Sequence, residues 1–267
     1  MFSFLREPPA RGLDDDGPET IGVAFTDRHG GSSVGPFSSL NFGRTDEDDL
    51  AALKMNMAAL RGRLRIAPVQ TVHQVHGTVV RTIDRPADLQ DATGWLGDRV
   101  PGGSAVPVAD AMVTTLRGVP LAIRIADCVP VLLADARAGV IAAAHAGRVG
   151  LLREVLQTTV EVMRARGTSR IEAWIGPHIC GRCYEVPEAM AADAYRAVPQ
   201  LAAQSRWHTA SLDLGAGAQA VLEAVGVRVH RVDPCTYEHA DRLFSHRASG
   251  GRAGRQIGLI WRAGPQE

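Results

Sequence analysis

A few side chains able to hold a metal ion or attack a substrate lie in otherwise apolar company. Cys128 interrupts the run LAIRIADCVPVLLAD, His145 closes the run GVIAAAHAG, and His73 and His76 sit in PVQTVHQVHG. A polar group within a buried strand costs free energy unless something pairs with it. A bound ion or a Cys–His hydrogen bond would supply that pairing. Catalytic zinc usually takes three protein ligands and leaves a fourth position open, and His76, Cys128 and His145 make such a set. The same residues admit metal-free chemistry, with Cys128 as nucleophile and a histidine as its base. The plainer alternative is a buried cysteine beside two hydrogen-bonded histidines, because free cysteine is commonly buried.

Two further groups carry chemistry. Cys180 and Cys183 form a Cys-x-x-Cys in the Gly-rich stretch GPHICGRCYE, with His178 beside them. That is half of a structural zinc site, which Cys235 and His239 would complete; the alternative is a Gly-rich loop in which His178 and Cys180 line a pocket. Arg44, Arg148, Arg247 and Arg255 all lie close to glycines. The guanidinium fork suits phosphate through two parallel hydrogen bonds. No Gly-rich stretch matches a P-loop or a dinucleotide fingerprint, which argues against an ordinary NTPase or NAD enzyme.

The elements that must position these groups follow from patterning. Leu121–Leu133 reads as one buried strand broken by Asp127 and Cys128, and Val140–Ala144 as its antiparallel neighbour across a short turn. Thr20–Thr26, Ala109–Thr115, Ile171–Ile175, Val227–Val232 and the end of Asp241–Ile260 read as strands. Pro68–Ile83 also reads as a strand, which puts His73 and His76 on opposite faces. A helix is expected after Thr45 and Asp48, a capping-box pair, with Leu50, Leu53, Met57, Leu60 and Leu64 on its core face. Further helices are expected over Leu151–Arg166, ended by Gly167, and over Pro187–Val198 and Leu214–Ala224. Asp27–Gly43, long and rich in Gly and Ser, and Asp84–Val108 read as loops. The sum is one α+β domain over residues 20–267, with residues 1–19 expected as a tail.

Composition narrows the partners. The 267 residues carry 29 basic and 29 acidic side chains, so no net field draws the protein to nucleic acid or a membrane. No apolar window reaches spanning length, and Met1–Glu19 turns Pro-rich and acidic rather than following a signal-peptide pattern. Four cysteines in a chain this long make no disulfide scaffold. A cytoplasmic protein is therefore expected.

Taken as a set, FTDRHGGSSVGPFSSLNFG, QVHG, ADAMVT, ADCVPVLLAD, GVIAAAHAG, IGPHICGRCYEV and FSHRASGGRAGRQIGLI resemble the laccase-domain family from about Ile21 to Trp261. That family has been called both multicopper polyphenol oxidase and purine nucleoside phosphorylase, and includes the peptidoglycan editing factors. The resemblance implies a single α+β domain of mixed sheets covered by helices, similar to the cytotoxic necrotizing factor catalytic domain. It places the family's zinc ligands on His76, Cys128 and His145, which would also be the catalytic residues, and leaves His73 a structural role. It implies phosphorolysis of adenosine, inosine, guanosine and methylthioadenosine with phosphate as co-substrate, and deamination of adenosine. Zinc serves deamination by acidifying water. Asn41, Arg44, Gln74, Arg247 and Arg255 are the expected contacts to nucleoside or phosphate. One departure stands out: where many members read HAG-Trp-Arg-Gly, this chain has Arg148 and Val149 in the Trp and Arg positions. Arginine can itself stack on a base.

Rival readings remain. A copper oxidase acting on phenols needs many histidine ligands, and nine histidines without an HxH pair argue against a several-copper cluster, although one copper fits a Cys–His₂ site. The others are a cysteine amidase editing peptidoglycan precursors and a non-catalytic partner of the cell-wall machinery.

Overall fold

The computed structural model describes residues 1–8 and 21–264. Its strands fall into two principal sheets. One has the order β1 (Phe2–Arg6), β2 (Ile21–Thr26), β12 (Gln256–Arg262), β5 (Leu121–Ile125), all antiparallel. The other has the order β11 (Arg228–Arg231), β8 (Glu172–Ile175), β6 (Val129–Asp135), β7 (Val140–Ala146), β4 (Ala111–Thr114), β3 (Val80–Ile83). This second sheet is mixed: its outer pairs β11–β8 and β3–β4 are parallel, its centre antiparallel. A small hairpin, β9 (Ala202–Gln204) with β10 (Ala210–Leu212), lies outside both.

Period-2 alternation builds three apolar layers from these strands. Val23 and Phe25 of β2, Leu121 and Ile123 of β5 and Ile260 of β12 meet Leu132, Ile141, Ala143 and Trp174 between the two sheets. The alternate residues, Ala24, Ala122, Leu259 and Trp261, face α1 (Leu50–Leu64) on the outside of the first sheet. Val131, Leu133, Ala142 and Ala144 face the helices over the second sheet. These are α3 (Val155–Arg164) and α5 (Leu214–Ala224), with the short α2 (Arg148–Leu152) and α4 (Glu188–Ala197) beside them. The central strands are apolar on both faces because both faces are covered. The expected α+β domain of mixed sheets under helices is the architecture found.

Several expectations need correction. Leu121–Leu133 is two strands in different sheets. The chain leaves the first sheet at Ile125 and enters the second at Val129, turning at Asp127, whose φ is +89°. An apolar run reads the same in either sheet, so periodicity does not reveal the switch. Of Pro68–Ile83 only Val80–Ile83 forms a strand. The preceding residues join neighbours through isolated bridges at Gln70 and His73. The helix over Leu151–Arg166 breaks at Glu154, where φ is +69°. The N-cap of α1 is Asp49, whose carboxylate accepts from Ala51 and Ala52 N–H at 3.1 and 3.3 Å, rather than the Thr45–Asp48 pair. Asp48 instead points inward and accepts from Ser33 Oγ and Asn41 Nδ2, both at 2.7 Å. With Asn56, it pins the Gly/Ser-rich stretch after β2. At the N-terminus Phe2–Arg6 is a strand paired to β2, and the remainder of the expected tail from residue 9 lies outside the described residues.

Leu132 has no exposed surface and packs between the sheets. Leu132→Ala should lower unfolding stability by about 2–5 kcal/mol, read from urea denaturation followed by circular dichroism.

Candidate active site

The switch between sheets presents Cys128. β7 delivers His145 from the adjacent strand, opposite Pro130 in register. His76 arrives from the irregular segment before β3, at a φ of +59° that few side chains adopt. The result is a cluster in which the ligand atoms of His76, Cys128 and His145 all lie within 4.8 Å of one another. Cys128 Sγ is 3.6 Å from His76 Nε2, and the two imidazoles stand edge to face with centroids 4.9 Å apart. Donors around a tetrahedral zinc ion stand roughly 3.5 Å apart, so modest closure would bring these three to an ion.

One carboxylate holds the arrangement. Asp110, at the entry to β4, has no exposed surface. It accepts the backbone N–H groups of Val75, His76 and Gly77 at 3.2, 2.9 and 2.6 Å. Its Oδ1 also lies 2.9 Å from His145 Nδ1, and its own carbonyl accepts the His145 N–H at 2.8 Å. With Nδ1 engaged, Nε2 of His145 is left to face Cys128 and any ion. This is the carboxylate–histidine pairing that orients metal-bound imidazoles. Gly147 matters for a different reason: a Cβ there would lie 2.5 Å from His76 Cδ2 and 3.1 Å from Cys128 Sγ. Behind Cys128, Asp127 is held in its unusual backbone geometry by Thr236 Oγ1 at 2.6 Å and Arg247 N–H at 2.7 Å.

The electrostatics follow from burial and neighbours. Burial pushes the Cys128 thiol up, but the facing His145 and His76 outweigh it and bring it to about 6. Burial lowers His145, yet the Cys128 thiolate and Asp110 raise it to about 9. Burial raises Asp110 as well, and the hydrogen bonds from His145 and the backbone carry it below the usual carboxylate range. The metal-free site is therefore a thiolate–imidazolium pair, a ligand set already deprotonated at sulfur.

This cluster opens into a cleft of about 990 Å³ whose lining includes Arg44, His73, Gln74, Arg124, His246 and Arg255. Burial holds Arg124 down at about 9, helped by repulsion from Arg44 and Arg255. Arg44 pairs with Asp98 at 2.6 Å, whereas among the described residues the Arg124 guanidinium donates to the carbonyls of Val72 and Trp95 and that of Arg255 to those of Ala253 and Gly254. The cleft thus gathers cationic charge that its own carboxylates do not cancel.

The expected contacts are divided by the structure. Arg44, Gln74 and Arg255 line the cleft. The Gln74 amide is already committed to the backbone N–H and C=O of Arg124, at 2.9 and 2.8 Å. Asn41 is fully buried; its Oδ1 accepts the N–H of Arg255 at 2.8 Å, so it positions the arginine and does not itself line the cleft. Arg247 lies over the Tyr184 ring, 5.2 Å from its centroid, outside the cleft lining, and Arg148 also bonds Tyr184. His73, expected as structural, is exposed on the cleft wall 3.5 Å from Arg44, because its segment is not a strand. Asp110 and Arg124 were not singled out from sequence. A lone Asp before AMVT and a lone Arg within LAIRI were the available signals.

The family model that matches residues 22–263 is described as multi-copper polyphenol oxidoreductase laccase. The chain belongs to this family. A purine nucleoside phosphorylase of Streptomyces griseus is 43% identical over 243 residues, spanning 89% of this chain and 93% of the relative. One from Streptomyces coelicolor is 44% identical over 242 residues with the same coverage. The solved structure of YlmD from Geobacillus stearothermophilus superposes with a TM-score of 0.80 at 30% identity, covering 97% of this chain and 98% of the other. A Neisseria meningitidis protein gives 0.77 at 32% identity, covering 94% and 98%. The laccase-type fold therefore extends over nearly the whole chain, and relatives named as enzymes support an enzyme here.

Two substitutions test the architecture of the site. Asp110→Asn should weaken metal affinity at this cluster roughly tenfold to a hundredfold, probed with added zinc in competition with a chromophoric chelator. Gly147→Ala should displace His76 from Cys128 and weaken zinc at least as much, with an unchanged far-ultraviolet spectrum.

Proposed function

We propose that the protein is a zinc-dependent purine nucleoside phosphorylase with adenosine deaminase activity. The observation that carries this reading is a Cys–His₂ cluster at the edge of a cleft lined by Arg44, Arg124 and Arg255. The donor set suits zinc: one thiolate, two imidazoles, and a buried carboxylate orienting one of them. His76, Cys128 and His145 would hold the ion. When bound, zinc supplies Lewis acidity and lowers the pKa of water in its open position.

The chain's own residues account for the rest. A cleft of about 990 Å³ lies at the upper end of the size of small-molecule sites, roughly 300–1,000 Å³, enough for a nucleoside with phosphate. Arg124 and Arg255, with Arg44 beside them, would bind phosphate and hold it against the sugar carbon that carries the base. In phosphorolysis the catalytic gain is then mainly positioning and charge stabilisation. Asn41 and Gln74 support this indirectly by fixing the backbones of Arg255 and Arg124. Arg148 and Arg247, both on Tyr184, would border the nucleoside from the other side of Cys128.

The depressed Cys128 thiol favours one alternative, a cysteine amidase with Cys128 as nucleophile. A several-copper oxidase is disfavoured by the ligands: among the described residues, the other cluster able to hold an ion is made of cysteines, not histidines.

Incubation with adenosine, with and without inorganic phosphate, separates these readings by chromatography. The expected products are adenine and ribose 1-phosphate only with phosphate, and inosine without it. Arg124→Gln should raise KM for phosphate roughly tenfold or more, as one charge-assisted contact is lost. It should leave deamination largely intact. Phenol oxidation with bound copper, or amide hydrolysis that survives chelation, without any adenine or inosine, would overturn the proposal.

A further inference from the structure

The second cysteine group has no part in that chemistry. Cys180, Cys183 and Cys235 have sulfurs within 4.8 Å of one another, although Cys235 is far from the other two in sequence. All are free thiols; Cys183 and Cys235 are buried and Cys180 half-buried. Two thiols would suffice for a disulfide, whereas three converging on one point make a soft metal site. The sulfur of Cys235 accepts backbone N–H groups from Cys180, at 3.4 Å, and from Tyr237 and Glu238. The sulfur of Cys180 accepts the N–H of Arg182. Backbone donors aimed at sulfur are the outer shell that steadies thiolate ligands.

We propose that Cys180, Cys183 and Cys235 hold a second, structural zinc ion, separate from the His76–Cys128–His145 site. Binding forms three sulfur–zinc bonds and releases to solvent the protons that the thiols still carry. A fourth ligand is within reach: Glu238 Oε1 lies 3.8 Å from Cys183 Sγ. His239, the partner expected for Cys235 from spacing, is exposed and outside the cluster. Three thiolates and a carboxylate exceed the charge of the ion. Arg206, 2.6 Å from Cys183 Sγ and paired with Glu238, offsets part of that excess.

The position gives the ion a role. It would tie the loop after β8 to the segment after β11. Both grip the turn that presents Cys128: Ile179 N–H donates to the Asp127 carbonyl at 3.0 Å, and Thr236 donates to the Asp127 carboxylate. Tyr184, against which Arg148 and Arg247 rest, directly follows Cys183. A structural ion here clamps the back wall of the active site.

The test uses the full chain carrying Cys128→Ser, so that the trio supplies every remaining thiol. Reduced protein is titrated with cobalt(II), then with zinc. The expected result is a thiolate-to-cobalt charge-transfer band saturating at about one equivalent per chain. Zinc should displace it and raise Tm. Adding Cys180→Ser, the least buried of the three, should weaken metal binding by more than about a hundredfold, since losing even an outer partner costs ten to a hundredfold. Circular dichroism checks that the variant folds, and Cys183→Ser serves if it does not. No charge-transfer band in the Cys128→Ser protein would overturn the proposal. So would a band that persists after Cys180→Ser. A disulfide among the three found by peptide mass mapping of reductant-treated protein would replace it with a redox pair.

Discussion

A single buried carboxylate underlies the site. Asp110 accepts three successive backbone N–H groups from the turn carrying His76 and orients the imidazole of His145. An uncompensated buried charge is expensive, so this carboxylate is tolerable only with its shell complete. The requirement works in both directions. The turn at His76 adopts its left-handed geometry because its amides have one acceptor to converge on, and the His145 ring is fixed in orientation because the same acceptor claims Nδ1.

The two sheets supply the second constraint. β5 and β6 are consecutive but belong to different sheets, and the residues between them cannot join either ladder. Backbone groups left unpaired there must find other partners. The Asp127 carbonyl finds one in the Ile179 N–H, while its carboxylate accepts from Thr236 and the Arg247 N–H, so distant loops hold the turn. Cys128 is thus placed at the point where strand pairing stops, next to the end of β7, where His145 lies. The apolar layers on either side hold that junction rigid, which suits a ligand set needing sub-ångström placement.

Charge is arranged differently in the two regions around Cys128. Toward the cleft, Arg124 and Arg255 are spent on backbone carbonyls and keep their charge available. On the other side, Arg148 and Arg247 lean on Tyr184.

Local pattern alone was enough for much of this protein. α5 was legible to the residue, and β2, β7, β8 and the core face of α1 nearly so, because apolar periodicity and capping act over a few residues. Cys128 and His145 stood out because polar groups inside apolar runs demand partners. What sequence did not contain was the partnership. Whether Leu121–Leu133 is one strand or two depends on which sheets lie beside it. Whether Asn41 touches ligand or props Arg255 depends on a contact across most of the chain. Asp110 drew no notice because its role consists wholly of bonds to other segments. Residue type determined which groups were capable of the chemistry; only the tertiary structure, by bringing distant backbone donors to one carboxylate, decided which of them meet.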